Sequence, residues 1–93
     1  MSDDAKPTET SPLVFPCEFP IKIMGKADLE FQAAALGIIR KHIPTLGEGA
    51  VDMRYSKEGK YLSMTVVVQA TSREQLDAIY TELSGDKRIM MLL

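Results

Sequence analysis

Ninety-three residues, 45% of them hydrophobic, allow one domain with a modest core. The formal charge of −2 resides in residues 1–16; the other 77 residues carry ten basic and ten acidic side chains, so the clustered positive charge of a nucleic-acid footprint is absent. A single cysteine, Cys17, excludes an internal disulfide and a multi-cysteine metal site, and no apolar run reaches the roughly 18 residues of a membrane span.

These limits predict a soluble, cytoplasmic protein that binds neither nucleic acid nor membrane. Residues 1–16 are rich in Ser, Thr, Asp and Pro without any period, which predicts a flexible tail before a single domain over residues 17–93.

The first strand is predicted over Cys17–Gly25. Phe19, Ile21 and Ile23 share one face; Glu18, Pro20, Lys22 and Met24 share the other. Pro20 has no N–H for a ladder, so its end of the strand belongs at an edge or a bulge. The link Gly25-Lys26-Ala27-Asp28 leads into a helix, with Asp28 as N-cap and Glu30 as a further negative charge in the first turn. That helix runs to about Ile43 and stops before Pro44. Phe31, Ala35, Ile38, Ile39 and His42 line one stripe, and Arg40, Lys41 and His42 suit the negative end of the helix dipole. Gly37 is out of place in a helix interior, and the usual compensation is close approach of another backbone.

After a loop over residues 44–49, Val51, Met53 and Tyr55 alternate with Asp52, Arg54 and Ser56. A polar turn containing Gly59 follows. Then Leu62, Met64, Val66, Val68 and Ala70 alternate with Tyr61, Ser63, Thr65, Val67 and Gln69. Two alternating runs joined by a short Gly-containing link predict a hairpin, and its longer, more apolar arm predicts a central strand.

Thr71 with Glu74, or Ser72 with Gln75, has capping-box spacing, and Leu76, Ile79, Tyr80 and Leu83 make an amphipathic stripe that Gly85 terminates. A last strand is predicted over Lys87–Leu93, with Arg88, Met90 and Leu92 opposite Ile89, Met91 and Leu93. The order β-α-β-β-α-β predicts an α+β ferredoxin-like sandwich: a four-stranded antiparallel sheet with both helices on one face.

Four pieces carry a resemblance. They are Phe19-Pro20-Ile21-Lys22-Ile23-Met24-Gly25; Arg40-Lys41-His42-Ile43-Pro44; Ser56-Lys57-Glu58-Gly59-Lys60-Tyr61 with the strand after it; and Glu74-Gln75-Leu76-Asp77-Ala78-Ile79-Tyr80 leading to Met90-Met91-Leu92-Leu93. In this order, over residues 17–93, the chain resembles the YbeD-like family of small bacterial proteins. The acidic N-terminal extension departs from that pattern. The resemblance implies a ferredoxin-like domain similar to the ACT regulatory domains of amino-acid metabolism, and a contextual association with lipoate metabolism. It supplies no catalytic residues.

The fold alone settles little about function. RNA recognition would need aromatic rings on both central strands, but beyond Tyr61 the open face offers Ser63, Thr65, Val67 and Gln69. A metallochaperone needs paired soft ligands, and an acylphosphatase-like enzyme needs an asparagine that this chain lacks. His42 could serve as a base or ligand, but a helix-end histidine reads first as structural. Cys17 lies on the apolar parity of its strand, and the single histidine is distant in sequence.

What remains is the open sheet face, where Met24, Tyr61, Val67, Met90 and Leu92 mix with polar neighbours and form a candidate interaction surface. The expectation is a non-enzymatic regulatory or protein-interaction domain, without catalytic, metal or cofactor-binding residues, that self-associates or binds a partner through its sheet face or edge. The alternative is a sensor of a small molecule, amino-acid or lipoate-related, with Gly25, Lys26 and Asp28 as its ligand turn.

Overall fold

Tyr61–Ala70 forms the long strand that its alternation predicts: Leu62, Met64, Val66, Val68 and Ala70 are fully buried, and the residues between them are half-buried or exposed. Around it the computed structural model, which describes residues 14–93, places β1 (Cys17–Lys26), α1 (Leu29–His42), a 3-10 turn (Glu48–Ala50) and β2 (Val51–Tyr55). The long strand is β3 (Tyr61–Ala70), and α2 (Arg73–Ser84) and β4 (Met91–Leu92) follow. The sheet order is β2-β3-β1-β4, with every pair antiparallel. This is the predicted ferredoxin-like arrangement. The tail expected over residues 1–16 lies, as far as residue 13, outside the described residues.

β1 and β3 pair along their whole length, from Cys17 opposite Ala70 to Lys26 opposite Tyr61. Paired residues share a face, so one register fixes which side chains enter the core. Ile21, Ile23, Leu62, Met64, Val66 and Val68 do so, and meet Phe31, Ala35 and Ile39 of α1 and Leu76, Ile79 and Leu83 of α2. Among the described residues no polar or charged side chain is buried.

Each helix is specified locally. The Asp28 carboxylate accepts the Phe31 N–H at 2.8 Å and caps α1, and Ile43 closes it through a bond to the Ile39 carbonyl. The Ser72 hydroxyl accepts the Gln75 N–H at 3.1 Å and caps α2. The Gln75 side chain reaches back to the Thr71 N–H rather than to that of Ser72. In the β2–β3 hairpin, Gly59 takes φ 77°, which favours glycine. Ser56 seals the turn: its carbonyl accepts from Gly59 and its hydroxyl from Tyr61.

Pro20 sits where its chemistry requires. Lys22 bonds to Leu93 through both its N–H and its carbonyl, so alternate residues of β1 present their backbone groups on the β4 side. Pro20 shares that parity, and β4 stops short of it. The missing N–H therefore falls on an uncovered edge.

Two expectations fail, each for a physical reason. The last strand is Met91–Leu92 rather than Lys87–Leu93, because Asp86 organises a turn first: its side chain accepts the Arg88 N–H at 2.9 Å and its carbonyl accepts the Ile89 N–H. Gly37 has no atom within 4 Å of where a Cβ would sit, so no backbone approaches it. Gly85 ends α2 as expected, and its φ of −85° is open to any residue.

Gly25 is the glycine that packing requires. A Cβ there would collide with the Phe31 ring and lie 2.7 Å from the Arg88 carbonyl oxygen. Phe31 is 1% exposed, and burial of such a ring stabilises the fold by about 2–3 kcal/mol. The two glycines therefore respond oppositely to alanine. Gly25→Ala destabilises by about 1–3 kcal/mol through overpacking, whereas Gly37→Ala stabilises by about 0.5–1 kcal/mol. Urea unfolding midpoints of the two variants check both signs.

Candidate functional site

Both helices cover one face of the sheet, and among the described residues no element covers the other. By register, the open face carries Glu18, Pro20, Lys22, Met24 and Lys26 from β1 and Tyr61, Ser63, Thr65, Val67 and Gln69 from β3. Asp52 and Arg54 join from β2, beside Thr65 and Ser63. Met91 joins from β4 opposite Met24, and Leu93 follows it opposite Lys22.

The predicted interaction face is thus only partly assembled. Met24, Tyr61 and Val67 lie on it. Leu92 does not: it pairs with Ile23 and packs against the core. Met90 precedes the strand and lines a cleft beside Phe31. The turn at Asp86–Ile89 shifts the parity of the last strand, so the open face gains Met91 and Leu93, which are 52% and 70% exposed. The pair Gly85-Asp86 was the sequence signal for that turn.

Two shallow grooves meet at Met24. One is lined by Lys22, Ser63, Met91 and Leu93, the other by Arg54, Tyr55, Tyr61 and Ser63.

The predicted ligand turn is also split. Gly25 is buried, and the space above it belongs to Phe31. Lys26 and Asp28 line an open cleft of about 240 Å³ with Glu30, Lys87 and Arg88, against Phe31 and Met90. The cleft carries both signs of charge. The Arg88 guanidinium donates to the Asp86 carboxylate through Nε and Nη2, at 3.0 and 3.1 Å. These bonds hold Asp86 below the usual aspartate range and raise Arg88. Asp28 is already committed to the cap of α1.

His42 is half-buried between the helices, where its Nε2 and the Lys41 ammonium bind the two oxygens of Glu82. The Glu82 carboxylate only accepts, so the His42 nitrogen donates. The His42 carbonyl also accepts from Gln75 at 3.3 Å. This is a clamp between α1 and α2, and it satisfies the structural reading of His42. Glu82 lies 40 residues away in sequence, so no local pattern announces it.

Tyr80 reaches from α2 to the Leu93 carbonyl at 3.0 Å and meets Phe19 edge-on at 6.3 Å. Burial pushes its phenol above the usual value. Cys17 is a half-buried free thiol against the core margin. No group of three His, Cys, Asp or Glu side chains fit to hold a metal occurs among the described residues, and no helix there is long and apolar enough to cross a membrane.

A ferredoxin-like domain with an uncovered sheet face and a mixed-charge cleft at one end is the class that this geometry defines. Within that class the chain belongs to the family described as protein of unknown function DUF493, whose family model matches residues 10–93. A UPF0250 protein of Nitrosomonas europaea is 43% identical over 92% of this chain and 99% of its own length. A UPF0250 protein of Chromobacterium violaceum is 46% identical over 85% of this chain and 89% of its own. The solution structure of protein HP0495 from H. pylori is similar with a TM-score of 0.74 over 100% of this chain and 98% of that one. At 11% identity that likeness speaks for the fold. The resemblance to small bacterial YbeD-like proteins is thereby borne out.

The Glu82 clamp has a pH signature. Hydrogen bonds from Lys41 and then His42 hold the carboxyl below its ordinary range. A carboxyl depressed on folding contributes stability above its unfolded value, about 4.3, and loses it as the pH falls through the folded value. Glu82→Gln lacks this contribution, so its unfolding midpoint falls less than the wild type's between about pH 6 and pH 3. Denaturant titrations at several pH values measure the difference.

Proposed function

We propose that this protein is a non-enzymatic regulatory or interaction domain that associates with a second copy of itself through the open sheet face. The observation that carries this reading is the apolar cluster of half-buried Met24 with exposed Met91 and Leu93, extended by Tyr61 and Val67, on a face that no helix among the described residues covers. Flexible, polarizable methionine side chains suit such contact surfaces.

The geometry favours the face over an edge. β1 presents Pro20 on its uncovered side, and β2 is five residues long with Asp52 and Arg54. Short, charged or proline-bearing edges resist strand addition. Sedimentation equilibrium of the full chain over a wide concentration range should show reversible dimer formation; a strict monomer at every concentration would overturn the reading.

A second reading, a small-ligand sensor, has its own observation in the mixed-charge cleft with Lys26 and Asp28 on its wall. A zwitterionic ligand such as an amino acid finds cations and carboxylates there within one cavity. An NMR shift screen with amino acids and lipoate-related compounds should move the amides of residues 25–30 and 87–90. A spectrum in which those amides stay silent for every compound removes this reading.

A further inference from the structure

We infer that the two copies pack face to face about a two-fold axis parallel to the strands, along the seam between β1 and β3. This inference rests on the self-association reading above and gives it a geometry.

The argument comes from the register. A two-fold contact uses the same patch on both copies, so each residue meets the image of another position. An axis along the β1–β3 seam exchanges each β1 residue with its β3 pair. Glu18 then meets Gln69 of the other copy, Lys22 meets Thr65, and Lys26 meets the Tyr61 ring. Asp52 and Arg54 on β2 are carried onto Leu93 and Met91 at β4, which occupy the same rows. All five charges on the face land on uncharged partners. Lys26 over Tyr61 is a cation–π pair, and the stem of Arg54 can lie along Met91. Lys22 and Thr65 take the central row of the seam, and the row beside it places Val67 on Pro20, two apolar side chains free of desolvation cost.

The competing in-plane axis, perpendicular to the strands through the row of Lys22, brings Glu18 to Lys26 at the ends but puts Lys22 on Lys22 and Asp52 on Asp52 at the centre. Like charges opposed in an interface cost several kcal/mol. The seam axis also keeps the strands of the two sheets nearly aligned, a packing that twisted sheets accept.

Size sets the expected strength. At about 3.3 Å per residue and 4.8 Å per strand, the four strands present roughly 430 Å² in projection. With side-chain relief, a pair buries on the order of 1,000 Å², near the lower bound for a specific interface. The dimer should therefore be weak and concentration-dependent.

The test uses the full chain. A mixture of isotope-labelled and unlabelled copies is examined by filtered NOE spectroscopy at a concentration where sedimentation shows dimer. Contacts between Val67 methyls of one copy and the Pro20 ring of the other are expected. Val67→Asp should weaken association about tenfold or more while its amide spectrum stays that of a folded chain, because Val67 is exposed in the monomer. Intermolecular contacts from Pro20 to Met24 instead would overturn the seam axis and leave self-association standing. A dimer indifferent to Val67→Asp, with no contact from the open face, would overturn both the axis and the face. Absence of any dimer would overturn the parent reading and this one together.

Discussion

The antiparallel ladder between β1 and β3 is the constraint on which the rest of the structure depends. Ten consecutive pairs join residues far apart in sequence, and a slip by one residue would turn every side chain to the wrong face. The register holds because both strands bury the same parity: Ile21 and Ile23 on one, Leu62 to Val68 on the other. Gly25 belongs to that parity too. It faces the helix layer opposite Leu62, where the Phe31 ring leaves no space for a side chain. The strand pairing, the entry of α1 and the placement of Phe31 are thus one arrangement, fixed by a missing Cβ.

The same register makes the opposite face what it is. With both helices on the core side, the alternate residues of β1 and β3 have no layer above them among the described residues. Selection of those residues is therefore free of packing demands, and an exposed strand needs only polar side chains there. Met24, Val67, Met91 and Leu93 are not the side chains that solvation favours. Scattered apolar residues are ordinary, but Met24, Met91 and Leu93 fall on adjacent positions of adjacent strands. The charges on this face run along its margins and its middle row.

Much of the fold was legible because its signals are local. Alternation in β3, the caps Asp28 and Ser72, Pro44 after α1 and the glycine turn at Gly59 each specify their element without help. The last strand is not legible from period two alone, because Asp86 folds the residues after it into a turn. A turn inserted before a strand shifts its parity, so Leu92 went to the core and Met91 to the open face. Gly37 misled in a different way. A helical glycine costs stability whether or not anything compensates it, and here nothing does. Glu82 was out of reach because its role depends on how two helices pack, which no window of sequence contains. The candidate site inherited these errors: the part on β1 and β3 was readable, and the part on β4 was not.

The open face and the cleft do not compete on equal terms. In the cleft two of the five charged side chains already have partners: Asp28 holds the first turn of α1, and Arg88 is bound through two nitrogens to Asp86. A ligand that engages those two must displace or share their bonds, and each displaced charge-assisted bond offsets what the ligand gains. Gly25, the residue that would let a ligand approach the backbone, is occupied from the core side by Phe31. The open face has the opposite character. Its apolar side chains bind nothing, so burying them releases water without breaking a bond within the fold. On the self-association reading, the face is therefore a better contact surface than β2 with its Asp52 and Arg54 or the uncovered stretch of β1 with Pro20.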